Sequence, residues 1–323
     1  MSGRQGEPGA AAARRRSRGR LAGIAVIAAA LLGAHPALAR AVAGSEYGPA
    51  YEAIVLDAQT GQVLRELNPD VVTYPASLTK MMTLYLTFEA LNQGRLRLDQ
   101  FLPVSGAAAS RAPSKLGLVP GESIAVRDLI LGVVTKSAND AAVVLAEALG
   151  GSEWGFAQQM TAKARQLGMM QTVYYNASGL PDPNQRTTAE DLAKLVGRLL
   201  DDYPASRPLL GGATFVYRGR VYSRNIPLFR DPGGVQALKT GFTREAGYNL
   251  AISAWKSGQQ FVLITLGSQT RSLSFRDAKA ILRYGFYETG LEATPPPAAP
   301  RRPAKPPRRP AQRGSRAALS GAG

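Results

Sequence analysis

Two short runs of alternating apolar and polar residues, 51–56 and 62–67, flank Asp57-Ala58-Gln59-Thr60-Gly61, a pattern that predicts a β-hairpin. The period then changes. Met81-Met82-Thr83-Leu84-Tyr85-Leu86-Thr87-Phe88 belongs to a predicted helix that starts at Pro75, a residue suited to a first turn, and runs to about Asn92, with Gly94 beyond it. Residues 103–123 are rich in Gly, Pro, Ser and Ala and read as a loop with short turns. Residues 126–134 and 141–149 predict two apolar helices joined by the polar corner Thr135-Lys136-Ser137-Ala138-Asn139-Asp140. A further helix covers 156–167 and stops at Gly168, residues 176–182 form a turn, and Thr188 opens another helix with a capping-type start.

Beyond Gly212 the alternation returns: 213–216 and 221–223 predict a hairpin turning at Gly219, 235–240 a strand, and 247–255 with 260–267 a second hairpin. Residues 272–288 close the pattern as an amphipathic helix. Strands, then helices, then strands and a last helix predict an α+β fold. Its antiparallel sheet takes its strands from opposite ends of the chain.

The two ends of the 323-residue chain read differently from its body. Arg14-Arg15-Arg16-Ser17-Arg18 leads into a twelve-residue apolar run, 21–32, and then into Pro36-Ala37-Leu38-Ala39. That is the layout of a secretory signal peptide over 1–39, with cleavage expected after Ala39. An uncleaved membrane anchor fits less well, because the apolar run is short for a span, and a twin-arginine signal is weaker still. From 294 to 323 the chain is rich in Pro, Arg and Ala, with eight of its 22 prolines, and reads as an extended basic tail. Such a tail either aids solubility or tethers the protein to an anionic wall polymer or membrane surface. Between the ends, 40–293 is one catalytic domain or two closely packed lobes.

Charge and composition narrow the chemistry. The formal charge of +16 is concentrated at the termini, +5 in 1–39 and +7 in 294–323, so the body carries only +4 and a nucleic-acid partner loses its main support. There is no cysteine, and the one histidine, His35, lies inside the expected signal peptide. A mature chain without Cys or His excludes Ser-His-Asp and Cys-His catalysis and the zinc sites built on those ligands, and no cofactor is implied. Any hydrolytic base has to be Lys, Asp, Glu or Tyr.

Ser77 and Lys80 supply such a pair: three residues apart, they place a hydroxyl and an ammonium on one helix face. Alone the spacing means little, since Ser-x-x-Lys arises by chance about once in a chain of this length. Ser137-Ala138-Asn139, which on its own reads most simply as a helix cap, and Lys239-Thr240-Gly241 follow in order downstream. Ser77 at a helix N-terminus sits in positive potential. Lys80 can act as a base only when neutral. A second lysine about 4 Å away at an effective dielectric near 20 supplies roughly 4 kcal/mol of repulsion, or about three pKa units, in a partly desolvated cleft.

The three motifs together resemble the set found in penicillin-binding proteins and serine β-lactamases. From about residue 51 to 288 the chain is similar to the low-molecular-mass D-alanyl-D-alanine carboxypeptidases. The likeness extends to Tyr74-Pro75-Ala76-Ser77-Leu78-Thr79-Lys80-Met81-Met82-Thr83, Lys239-Thr240-Gly241-Phe242-Thr243, Ala246-Gly247-Tyr248-Asn249-Leu250, Asn176-x-x-Gly179-Leu180 and Thr187-Thr188-Ala189-x-Asp191-Leu192-Ala193. The resemblance implies the β-lactamase/penicillin-binding-protein-like fold, an antiparallel sheet flanked by helices with a helical subdomain. It implies Ser77 as nucleophile, Lys80 as its base and Ser137 as relay to the leaving amine, with Asn139 holding substrate amide or Lys80. Lys239, Thr240 and Arg224 would meet the substrate's carboxylate. Gly241 would admit the peptide to the strand edge, and the backbone N–H groups of Ser77 and Phe242 would form the oxyanion hole. Two departures stand out: Asn184-Gln185-Arg186 lacks the histidine such proteins often carry, and the end is a basic tail in place of a small β-domain and amphipathic helix.

The activity so implied is removal of the terminal D-alanine from peptidoglycan stem peptides in the periplasm or cell envelope, with β-lactams as covalent inhibitors. A D,D-endopeptidase on the same machinery is the near alternative. A β-lactamase is disfavoured because no Glu-x-x-Leu-Asn segment follows Ser137-Ala138-Asn139 to activate a deacylating water. A silent wall-binding protein is disfavoured by the intact Ser77, Lys80, Ser137 and Lys239.

Overall fold

β1 (Glu52–Asp57) and β2 (Val63–Leu67) form the expected hairpin. Its turn is set by Asp57, whose Oδ1 accepts from the amides of Gln59 (2.7 Å) and Thr60 (3.1 Å), and by Gly61 at φ +72°. The structure, a computed structural model, describes residues 51–224, 226–230 and 234–296. The expected signal peptide at 1–39 and nearly all of the tail from 294 onward lie outside the described residues. No helix among the described residues is long and apolar enough to cross a membrane.

The segment around Ser77 differs in detail from the expected helix. Ala76–Thr79 is a 3-10 turn, and α1 (Lys80–Asn92) begins only at the lysine. Ala76 has φ +47°, a left-handed conformation that a helix starting at Pro75 could not contain.

The stretch expected to be a loop contains more order than its composition indicates. β3 (Phe101–Pro103) pairs antiparallel with β4 (Ser123–Ala125), and α2 (Gly106–Ala109) lies between them, capped by Ser105 Oγ accepting from Ala108 N at 2.9 Å. Three-residue strands leave too little alternation to read. The remainder of the loop is gathered by the buried Asp140, whose carboxylate accepts from the amides of Leu116 (3.0 Å), Gly117 (2.8 Å) and Leu118 (3.1 Å).

α3 (Val126–Leu131) passes into a π turn, Gly132–Lys136, and Ser137 reverses the chain at φ 59°, ψ 37° before α4 (Asn139–Gly150). α5 (Glu153–Gln166) and α6 (Ala189–Asp202) start at capping hydroxyls: Ser152 Oγ accepts from Gly155 N at 3.0 Å, and Thr188 Oγ1 from Asp191 N at 3.1 Å. The short α7 (Arg207–Gly211) leads to the hairpin of β5 (Thr214–Tyr217) and β6 (Arg220–Ser223). β7 (Val235–Thr243), β8 (Gly247–Lys256) and β9 (Gln259–Ser268) follow, and α8 (Arg271–Glu288) ends the described fold.

The main sheet has the order β2-β1-β9-β8-β7, every neighbour antiparallel, so strands from both ends of the chain meet at β1 and β9 as expected. Alternation gives it two buried faces. Ile54, Ala251, Val262 and Ile264 face the helical layer with Leu78, Met81 and Leu192. Val55, Leu250, Ile252, Phe261 and Leu263 pack with Ala278, Ile281, Leu282 and Phe286 of α8. Phe261 and Phe286 meet edge to face at 4.9 Å, and each such buried side chain contributes about 1.5–3 kcal/mol. β7 ends the order, and it is this outer strand that runs past the nucleophile turn.

Candidate active site

The fold brings the three motifs together around one amine. Lys80, at the first position of α1, is completely buried. Its Nζ lies 2.7 Å from Asn139 Oδ1, in hydrogen-bond contact with the carbonyl of Ser178, and 3.3 Å from Ser77 Oγ. The first two partners can only accept. Ser77 Oγ alone can also donate, and it is the most distant. A neutral amine has two N–H groups and one lone pair, so this set spends both N–H groups on Asn139 and Ser178 and directs the lone pair at the Ser77 hydroxyl. Burial holds the Lys80 amine well below the usual lysine range. The charge of Lys239 adds to that, while Asp140 and Glu153 pull the other way.

Each acceptor is itself positioned. Asn139 donates through Nδ2 to Ala112 O at 2.8 Å, which fixes Oδ1 toward Lys80, and its backbone N donates to Ser114 O at 2.7 Å. The Ser178 carbonyl sits in a turn whose anchor is Asn176, with Oδ1 accepting from Ser178 N (3.1 Å) and Gly179 N (2.7 Å). Gly179, at φ +80°, backs onto the nucleophile turn so closely that a Cβ there would stand 1.8 Å from Ala76 O. Ser137 stands at its left-handed corner with a buried Oγ that has no hydrogen-bond partner among the described residues, an unspent donor and acceptor.

β7 supplies the opposite wall. Lys239 is buried, donates to Thr240 O at 2.6 Å, and has its pKa pushed down to about 7, chiefly by burial and then by the Arg224 charge. Arg224 follows β6, is itself pushed down to about 10 by burial, donates to Leu210 O at 2.8 Å and lies 5.4 Å over the Phe229 ring. Its charge is near enough to Lys239 to lower that amine's pKa. Thr240 is half-buried, and Phe242 is exposed with its ring 4.4 Å from that of Tyr248.

Ser178, Gly179 and Asn249 have parts in this arrangement that sequence reasoning did not assign. Asn249 Nδ2 donates to Tyr74 O (3.0 Å) and Pro75 O (3.2 Å), and its Oδ1 accepts from Gly267 N (3.0 Å), which ties the nucleophile turn to the sheet. The motifs around these residues were visible. A main-chain carbonyl and a buried strap, however, leave no signature in residue type.

The family model for D-alanyl-D-alanine carboxypeptidase, peptidase S11, matches residues 34–270. The chain belongs to this family. Over 240 residues it is 35% identical to D-alanyl-D-alanine carboxypeptidase DacC of Escherichia coli strain K12, a match covering 72% of this chain and 60% of that protein. The chain thus spans less than two thirds of that relative's length. A D-alanyl-D-alanine endopeptidase of Pseudomonas aeruginosa is 33% identical over 261 residues, 76% of this chain and 80% of that protein. Among solved structures, penicillin binding protein 5 from Haemophilus influenzae superimposes with a TM-score of 0.71 at 33% identity, covering 73% of this chain and 70% of that one. The penicillin-binding-protein-like α+β fold implied by the resemblance is therefore the fold observed.

Proposed function

We propose that this S11 family member is an exported serine-type D,D-carboxypeptidase that removes the terminal D-alanine of peptidoglycan stem peptides through an acyl-enzyme on Ser77, and that β-lactams acylate the same hydroxyl. The observation that carries the reading is the buried Lys80 amine held by Asn139 Oδ1 at 2.7 Å, the Ser178 carbonyl and Ser77 Oγ at 3.3 Å, a set in which a neutral amine spends its two N–H groups on the first two and keeps its lone pair for the Ser77 hydroxyl.

Ser77 Oγ attacks the carbonyl of the penultimate residue as its proton passes to neutral Lys80. The negative tetrahedral oxygen is received by the backbone N–H groups of Ser77 and Phe242. Ser137 relays the proton held by Lys80 to the departing amine, the C–N bond breaks, and free D-alanine leaves. Water then attacks the ester and gives its proton to the regenerated Lys80 amine, which passes it to Ser77 Oγ as the ester C–O bond breaks and the shortened peptide leaves with a new carboxylate. Lys239, Thr240 and Arg224 receive the terminal carboxylate, and Gly241 gives the peptide access to the edge of β7. Export follows from the signal-peptide layout of 1–39.

A second reading is a D,D-endopeptidase. It is favoured by the fuller coverage of the endopeptidase relative, 80% of that protein against 60% of the carboxypeptidase. Incubation with a peptide ending in D-Ala-D-Ala and with a cross-linked stem dimer separates the two. Release of free D-alanine from the first supports the carboxypeptidase, and cleavage of the dimer alone supports the endopeptidase. Benzylpenicillin should add one drug mass to the peptide containing Ser77, and failure of wild type to form that adduct or of Ser77→Ala to lose it removes the acyl-enzyme reading.

A further inference from the structure

Glu153, the first residue of α5, touches neither Ser77 nor Lys80, yet its two carboxylate oxygens reach the two segments that hold the Lys80 amine. Oε1 accepts from the amide of Ala177 at 3.1 Å. Oε2 receives the guanidinium of Arg111. Ala177 immediately precedes Ser178, whose carbonyl accepts from Lys80, and the Ala177 carbonyl is held on its other side by Thr83 Oγ1 of α1 at 2.7 Å. Arg111 immediately precedes Ala112, whose carbonyl orients Asn139 at 2.8 Å, the second acceptor of Lys80. The Glu153 side chain is 12% exposed and that of Arg111 34%.

We propose that Glu153, through Arg111, is a positioning residue for the Lys80 base: one carboxylate brackets the loops 111–114 and 176–179 and so keeps both acceptors of the amine in register. A carboxylate suits the task because its oxygens can serve two donors from different segments at once, with charge assistance toward Arg111. A glutamine keeps an acceptor for Ala177 but turns an N–H₂ toward the guanidinium, so it loses half of the bracket. The inference rests on the acyl-enzyme reading above.

The amine is faced by Lys239 from β7, Asp140 from α4 and Glu153 from α5, with Arg111 behind Glu153. Removing the negative charge of Glu153 therefore favours the neutral amine, and the acid limb of the acylation profile should move to lower pH.

The test measures second-order acylation of the full-length protein by benzylpenicillin across pH, with thermal midpoints recorded in parallel and Ser77→Ala as a control. Glu153→Ala should slow acylation about tenfold to a hundredfold, the scale of loss when a catalytic group is misplaced by about an ångström. Glu153→Gln and Arg111→Met should each give a smaller loss of similar size, and both Glu153 variants, but not Arg111→Met, should move the acid limb to lower pH. Acylation within twofold of wild type in all three variants, with an unshifted limb, would overturn the bracket whether or not the midpoints fall. So would a loss in Glu153→Ala that Glu153→Gln and Arg111→Met do not share. Wild type that fails to acylate at Ser77 would instead overturn the parent reading.

Discussion

Gly241 lies against the amide of Ser77: a β-carbon at 241 would stand 3.0 Å from that nitrogen, 3.1 Å from Leu78 Cδ1 and 3.3 Å from Ala76 Cβ. The outer strand of the sheet and the Ser77 turn are thus packed with no room for a methyl group between them.

Gly241→Ala should therefore act on chemistry more than on stability. The strand has to withdraw by a few tenths of an ångström, which widens the gap between the Ser77 and Phe242 amides. We expect acylation by penicillin to fall by about tenfold to a hundredfold, with the thermal midpoint lowered by only a few degrees. A fluorescent-penicillin time course beside a melting curve checks both. Unchanged labelling would mean that β7 does not set the oxyanion geometry.

The two lysines make the pH dependence specific. Lys80 works as a base once it is neutral, and its burial beside Lys239 keeps it well below the usual range. In the proposed reaction Lys239 meets the substrate carboxylate while it is protonated, and burial pushes its pKa down to about 7. Raising the pH through 7 removes that charge, so KM for a D-Ala-D-Ala peptide should rise on the alkaline side, while kcat falls on the acid side as Lys80 takes up a proton. Initial rates over pH 5–9 at several substrate concentrations separate the limbs. A KM that stays flat above pH 7 would show that Lys239 does not titrate in the free enzyme.

How far the residues announced this site depends on what kind of group each contributes. The parts expected of Ser77, Lys80, Ser137, Asn139 and Lys239 belong to side chains, whose order and spacing are visible in the sequence, and that of Arg224 came with the resemblance to the family. The Ser178 carbonyl and the tight approach of Gly179 to Ala76 belong to the backbone, where residue identity carries little information. The hairpins and long helices followed from periodicity. β3 and β4 did not, being three residues each and set in a Gly- and Pro-rich stretch. The 3-10 start at Ala76 was hidden because its cause is tertiary: the turn fits against Gly179 and Gly241 from distant parts of the chain.

Asn249 offers a test of the strap between sheet and nucleophile turn. Asn249→Leu keeps the volume but leaves the carbonyls of Tyr74 and Pro75 and the amide of Gly267 without this partner. Buried groups stripped of a partner cost about 1–3 kcal/mol each. Urea unfolding should show a loss of a few kcal/mol, and acylation should slow even under conditions where the variant is folded. Normal acylation in a destabilised variant would confine Asn249 to a role in stability.

Glu52 provides the sharpest check on the core itself, because it has no place in the chemistry. It is the first residue of β1 and 2% exposed, and its Oε2 has no hydrogen-bond partner among the described residues; burial raises its pKa to about 8. The sign follows from proton counting. Between the ordinary glutamate value near 4.5 and about 8 the folded state holds a proton that the unfolded chain has released, so Glu52 costs nothing below 4.5. Its cost grows as pH rises and is complete above 8, reaching a few kcal/mol. Buried Lys80 and Lys239 contribute a slope of the opposite sign, so the total curve is not diagnostic. The difference between wild type and Glu52→Gln is. The variant should match wild type near pH 4, gain steadily on it through pH 6 and 7, and be the more stable protein at pH 8, as read from urea midpoints at constant m. A constant offset across that range would mean that Glu52 titrates normally and that water reaches its carboxyl group.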